Sequence, residues 1–435
     1  MTFDPALDLF PLTAAILAVV TCGLLGNFLV LRRQSLMGDA ISHAVLPGLV
    51  VAFLVTSSRS PLLMFAGAAI AGVVTVVLIE LVKKLGRVEP GAAMGVVFSV
   101  MFALGVLLIE KAAARHVDLD ADCVLYGQLE TLVWWQAPAS LGGLWSWATL
   151  EAIPRQVWLL LIMAVAAGLF VVLLFKELRI ASFDPGLATS QGIHAGAMHY
   201  ALMVFVAAAT VASFEAVGSI LVIAMLIAPA ATARLLTDRL GTQVGVSLVV
   251  AVFCGVGGYF AATLVPAAMG APSVNAAGSM TVVAGGLVVA AAVFSPSHGL
   301  VARAVRRRRL GRASAVDDLL TTLYRRREAG QTPAPLDEIP GRTGFDPASA
   351  LRDADRRGLV DTTGSGARLT DAGLERATAV LRRHRLWEDY LVTDAGLEAD
   401  HVHDTAERLE HLAVEPDHGA EVDPHGRPIP ERTGE

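Results

Sequence analysis

The apolar runs between Phe10 and Leu300 constrain this chain more than any other feature. "LTAAILAVVTCGLLGNFLVL" and "VWLLLIMAVAAGLFVVLLF" carry no charge over about 20 residues, the length of a helix that crosses a bilayer. In hydrocarbon every backbone N–H and C=O must be satisfied within the segment, which selects α-helices. Nine spans are expected, at about 10–31, 41–57, 60–82, 91–110, 156–175, 198–214, 216–232, 244–265 and 279–300. With mean hydropathy +0.58 and 54% hydrophobic residues, the chain is too apolar for a soluble protein. After Arg303 the composition reverses: residues 317–435 are net −10 and contain no Lys, while the rest is net +4. The expected fold is an all-α polytopic membrane domain over 1–312 and a cytoplasmic domain over 313–413. The Pro/Gly-rich acidic end, 414–435, reads as disordered.

Basic residues set the topology. Arg32/Arg33, Lys83/Lys84/Arg87, Lys176/Arg179, Arg234/Arg239 and Arg303 with Arg306–Arg309 follow the first, third, fifth, seventh and ninth spans. This puts the N-terminus outside and the acidic tail in the cytoplasm. Two regions fit less simply. Cys123–Arg155 is Trp-rich and reads as lying at the outer interface. Tyr200–Ala233 is too long for one span and short for two, so a broken or re-entrant helix is expected around Glu215. The three cysteines lack any CxxC spacing, which argues against a disulfide or thiolate site.

Ionisable residues inside spans are costly and mark pathways by default. Here they are His43, Glu80, Glu110, His199 and Glu215, with Asp39 at a span edge. Glu80 and Glu110 lie near span ends, within reach of water. Asp39 and His43 are four apart and share a helical face. An acid and an imidazole make half a site for Mn²⁺, Fe²⁺ or Zn²⁺; an N-terminal helix Asp beside a buried, hydrogen-bonded His is the alternative, and chemistry alone leaves both open. Glu215 has no nearby basic residue in sequence, so a cation is a plausible partner.

The segment "LLGNFLVLRRQSLMGDAISHAVLPGLVVAFL" resembles the signature of permease subunits of the manganese/zinc/iron class of ABC importers. "DADCVLYGQLE", "FKELRIASFDPGLATSQGI" and "MHYALMVFVAAATVASFEAVGSILVIAMLIAPAATARLLTDRL" continue that resemblance in order over roughly residues 10–300. It implies pairing with a second permease, identical or related, two cytoplasmic ATPases and an external metal-binding protein. It also implies that Asp39, His43, Glu215 and, more weakly, His199 line the metal path. The chain has no G-x-x-x-x-G-K-[ST] phosphate loop, so ATP hydrolysis falls to separate subunits and the chain itself reads as no enzyme. In "SFDPGLATSQGIHAG", Asp184 can cap a short helix starting at Pro185 and Gly192 can end it. The resemblance makes this segment, with Gly186 and Leu187 at its start, the coupling helix that docks on the ATPase.

Beyond "VRRRRLGR", a membrane-surface anchor facing lipid, "DDLLTTLYRRREAG" reads as a helix. "LDEIPGRTGFDPASALRDADRRGLV" reads as helix–turn–helix and "VDTTGSGARLT" as a two-stranded wing, together a winged-helix outline. Next, "RRHRLWEDYL" spaces His384 and Glu388 by four, and "HVHDTAERLEHL" places His403, Glu407, Glu410 and His411 on one helical stripe. That is a metal-ligand pattern; a salt-bridged amphipathic face is the alternative. Residues 317–413 resemble metal-dependent repressors of the diphtheria toxin repressor class, and the resemblance makes all six residues ligands. Glu407 stands where iron-type members have Cys, and carboxylate oxygen suits Mn²⁺. The N-terminal acidic ligands of that class have no clear match.

Duplex DNA is bound through phosphate neutralisation by Lys and Arg. A tail of net −10, with three Arg against three Asp in "DPASALRDADRR", argues against DNA and for metal sensing. Two functions therefore compete: a transport permease for divalent transition metals, Mn²⁺ preferred, and a membrane-anchored metal-responsive transcription regulator. Nine spans with intramembrane acids and histidines exceed what an anchor needs.

Overall fold

The structure is a computed structural model that describes residues 4–56, 60–113, 127, 129–134, 153–330, 334–335, 347–363, 366–411, 414–416 and 419–431. The chain divides into two compact units, residues 1–302 and 303–435. In the first, α1 (Pro5–Leu31), α2 (Met37–Thr56), α3 (Pro61–Gly86), α4 (Pro90–Ala113) and α5 (Arg155–Leu173) are followed by the short α6 (Phe175–Phe183) and α7 (Pro185–Ser190). Then come α8 (Ala195–Leu236), α9 (Leu240–Ala268) and α10 (Ala276–Phe294). Among the described residues, eight helices are long and apolar enough to cross a membrane.

The sixth and seventh expected spans are the two halves of α8. A straight helix of 42 residues would extend about 63 Å, twice the hydrocarbon thickness. The chain instead breaks at Gly218, where φ is 76° and ψ 165°, a region open essentially to glycine alone. Contacts with α1 show the reversal. His199 meets Arg32 at the end of α1 and Ser213 meets Cys22, so the first half runs antiparallel to α1. Val217, Leu221 and Met225 then surround Ala18, Val19 and Cys22, and Leu226 abuts Gly26, so the second half runs back alongside it. Both ends of α8 thus lie beside the Arg32 end of α1. The break comes three residues after Glu215, the carboxylate that interrupts the apolar run.

Gly127 seals this corner: a Cβ there would lie 2.4 Å from the Gly218 nitrogen. Part of the Trp-rich segment thereby reaches the break itself, and Trp134 is buried against Phe10 at 4.9 Å; most of Cys123–Arg155 falls outside the described residues. Gly218→Ala is expected to strain the backbone by about 1–3 kcal/mol. The thermal unfolding midpoint of the solubilised protein should fall, and an unchanged midpoint would count against the reversal.

In the second unit, α11 (Leu300–Glu328) carries the Arg-rich run without interruption into the expected helix. After α12 (Pro347–Arg356), β2 (Val360–Thr363) and β3 (Gly366–Leu369) pair antiparallel, and the two-residue β1 (Ala334–Pro335) adds to β3. Val316, Leu319, Leu320 and Leu323 of α11 share a core with Ala350, Ala354, Val360 and Ala367. The first helix expected in the helix–turn–helix lies outside the described residues.

α13 (Asp371–Thr393) and α14 (His403–Leu409) complete the unit. The described part of the acidic end, expected to be disordered, is instead folded against α13. Val422 bridges Pro428, and Asp423 Oδ1 accepts from the backbone N–H groups of His425 and Arg427. Arg382 and Arg385 donate to the Pro430 and Pro428 carbonyls at 2.6 and 2.5 Å. Acidity alone does not produce disorder here, because arginines of α13 supply the donors that a prolyl segment cannot supply for itself.

Candidate functional site

In the membrane unit, Asp39 sits in the first turn of α2 and His43 one turn on, with Nε2 3.4 Å from Asp39 Oδ1. Both are half-buried, and the His43 ring packs on Phe98 and Phe102 of α4 at 5.0 and 5.7 Å. Glu215 accepts from Gln156 Nε2 at 3.3 Å, near the start of α5. The pair and Glu215 lie at different depths. Gly72 separates Ile41 from Ala207, and Ala207 precedes Glu215 by eight residues, about 12 Å of helix rise. The residues that the resemblance places on the metal path therefore form two separate groups, at the different depths that the topology from basic residues implies, and Gln156 is a partner of Glu215 with no spacing signal in the sequence.

His199 belongs to neither group. Its Nδ1 lies 3.1 Å from Arg32 Nη1 and its Nε2 3.0 Å from Glu80 Oε1. Guanidinium can only donate, so Nδ1 accepts and the Nε2 proton goes to Glu80. In this arrangement both ring nitrogens are engaged, which ties His199 to Arg32 and Glu80 and not to Asp39–His43 or Glu215. Glu80, read as reaching water near a span end, is 5% exposed and paired with Lys83 at 3.2 Å as well.

The expected short helix forms at α7. Asp184 Oδ1 accepts from Leu187 N at 2.9 Å, and Gly192 leaves the helix with φ 79°. Pro185 occupies the first helical position, where its missing N–H costs nothing. Leu187 is 49% exposed and Phe183, just before the cap, 58%, so α6–α7 presents an apolar surface.

In the second unit the ligand-type residues form three groups among the described residues; Glu398, Asp400 and His401 are exposed, and the other two are neighbours and at least half-buried. His384, Glu388 and His403 can each offer a ligand atom within 4.8 Å of the others, as can Asp318, Glu410 and His411. Glu410 connects them: its Oε2 is 2.5 Å from His384 Nδ1, and its Oε1 is 3.7 Å from His411 Nε2. Glu388 Oε1 holds His384 Nε2 at 3.1 Å and His403 Nδ1 at 2.8 Å. Glu407, one of the expected stripe, belongs to neither group. Asp318, missed by helical spacing because it lies some ninety residues earlier in sequence, joins Glu410 and His411, and Asp317 stands behind His411 at 3.8 Å. The adjacent acids opening the amphipathic helix "DDLLTTLY" were the only local signal.

These groups suit a divalent cation. Glu388 Oε2 and His411 Nδ1 are buried without hydrogen-bond partners among the described residues, and nitrogen and carboxylate donors without a thiolate fit Mn²⁺. Burial would push Glu388 up, but the hydrogen bonds and charges of His384 and His403 outweigh it and hold the carboxyl at about 2. The Asp317 and Asp318 carboxylates raise His411 to about 9 against burial. A coordinating His must shed its proton. Mn²⁺ binding at pH 7 is therefore expected to release protons, with apparent affinity rising as pH climbs toward 9; calorimetry in buffers of different ionisation enthalpy measures this. In the metal-free state, the His411 contribution to stability is present below about 6.5 and lost as pH rises through about 9.

Comparison with known proteins agrees with this division. The iron dependent repressor, metal binding and dimerisation domain matches residues 370–416, which include α13, α14 and five of the six clustered ligand residues. The manganese transport system membrane protein MntD of Bacillus subtilis is 39% identical over 295 residues, covering 68% of this chain and 94% of that one. The zinc transport system membrane protein TroD of Treponema pallidum is 36% identical over 374 residues, covering 84% and 97%. The solved structure of PsaBC from Streptococcus pneumoniae in complex with Fab is similar with a TM-score of 0.52 and 29% identity, over 67% of this chain and 92% of that one. The family model spans residues 9–136 and 148–293, which hold Asp39, His43 and Glu215, the broken helix and α6–α7, and the chain therefore belongs to the ABC 3 transport family.

Proposed function

We propose that this chain is the permease subunit of an ABC importer for divalent transition-metal ions, Mn²⁺ first and Fe²⁺ or Zn²⁺ as alternatives. The 39% identity to a manganese-transport membrane protein over nearly its whole length carries the reading. Asp39–His43 and Glu215 are successive stations of the path. The Arg32 end of the membrane unit faces the cytoplasm, in keeping with its Lys83 and Lys84, and the N-terminus lies outside. A second permease, two ATPases docked on α6–α7 and an external metal-binding protein complete the importer. The second unit, with its winged-helix outline, is a cytoplasmic metal sensor acting on transport. The regulator alternative leaves the exposed face of α7 and both membrane stations without a role.

The test is ATP-dependent Mn²⁺ uptake by proteoliposomes holding the permease, its ATPases and the binding protein, with Zn²⁺ and Fe²⁺ as competitors. No metal uptake would overturn the reading. Leu187→Asp places a charge on the exposed face of α7, and uptake should fall about tenfold or more, with weaker ATPase co-purification. Wild-type co-purification with normal uptake would remove the docking assignment.

A further inference from the structure

A buried polar chain links four elements at the Arg32 end of the membrane unit. Ser182, in α6 and two residues before the Asp184 cap of α7, accepts from Arg32 Nε at 3.0 Å. Arg32, which caps the C-terminus of α1, donates through Nη1 to His199 Nδ1 at 3.1 Å. His199, in the second turn of α8, donates to Glu80 of α3 at 3.0 Å, and Glu80 is held in turn by Lys83 at 3.2 Å. Glu80 is 5% exposed, so its charge depends on these partners: an acid within a span is retained only where such groups satisfy it.

The chain has a direction that ordinary packing does not require. One end sits on the segment with an exposed apolar face, α6–α7. The other is Glu80 with Lys83 on α3, and between them His199 sits at the base of the half-helix that rises to the Gly218 break and Glu215. Every donor and acceptor role along it is determined once Arg32 donates to Nδ1. A shift of Ser182 therefore alters which partner Arg32 satisfies, and with it the anchoring of α8. Such a network has discrete arrangements rather than a continuous range, which is what coupling between distant sites requires.

We infer that Arg32, His199 and Glu80 are positioning residues that convey movement of the α6–α7 segment to α8, and so tie ATP hydrolysis to opening of the metal path at Glu215. This rests on the importer reading. The experiment uses the complete importer in proteoliposomes with Mn²⁺ as the probe, and measures uptake, ATP hydrolysis and ATPase co-purification in parallel. In His199→Ala, ATPase co-purification should equal wild type and hydrolysis should continue, while Mn²⁺ transported per ATP falls about tenfold. His199→Gln should restore part of that ratio, because an amide can accept from Arg32 and donate to Glu80. An unchanged transport ratio in His199→Ala would overturn the inference. So would loss of ATPase co-purification or of thermal stability that accounts for the whole defect, since that marks a purely architectural contact. Absence of Mn²⁺ uptake by the wild-type importer would instead strike the importer reading and is read from the control.

Discussion

Glu215→Ala and Glu215→Gln are both expected to reduce Mn²⁺ uptake by about two orders of magnitude while leaving the folded permease at least as stable as wild type. The opposite signs follow from one fact. Glu215 lies beside the break of α8 with a neutral amide, Gln156, as its hydrogen-bond partner, and no Lys or Arg pairs with it among the described residues. A carboxylate within a span costs about 2.5–3.5 kcal/mol, and a passing cation that offsets this gains a comparable preference for the site. Gln keeps the shape and the contact with Gln156 but removes the charge, so it should fail as Ala does. Asp39→Ala and His43→Ala should also lose uptake, each removing one of the two donors in the other station. Transport assays paired with thermal unfolding of the solubilised protein separate the two effects, and normal uptake in Glu215→Gln would sink the electrostatic role.

Mn²⁺ is expected to stabilise the second unit of the full-length protein, and His384→Ala or Glu388→Ala to abolish that gain. Glu388 is fully buried and holds two histidines, while His384 touches both Glu388 and Glu410. Each change therefore dismantles more than one ligand. At a metal concentration about 100 times Kd, binding to the folded form alone adds about 2.7 kcal/mol. The corresponding rise in unfolding midpoint should vanish in both variants. Glu407→Ala should retain most of it, because Glu407 is in neither cluster. Equal loss in Glu407→Ala would restore the single helical stripe as the binding surface. If internal Mn²⁺ slows uptake by the wild type, that feedback should disappear in His384→Ala; persistence of the feedback would leave a metal site without a regulatory role.

Much of this was legible in the sequence because it depends on local physics. Apolar length specifies membrane helices, Asp184-Pro185 with Gly192 specifies a short capped helix, and a spacing of four puts His384 beside Glu388 on one face whatever surrounds them. The run around Glu215 announced a broken helix for the same reason, since 42 helical residues outrun a bilayer. Tertiary structure decided what depends on distance rather than spacing. It set the break at Gly218 through the packing of Gly127 and gave His199 to Arg32 and Glu80, whereas the different depths of Asp39 and Glu215 already followed from the basic residues at the span ends. It also brought Asp318 from α11 to Glu410 and His411 while leaving Glu407 aside. Helical periodicity shows which residues share a face. Which faces meet is a matter of long-range packing, and a ligand shell closes only where they do.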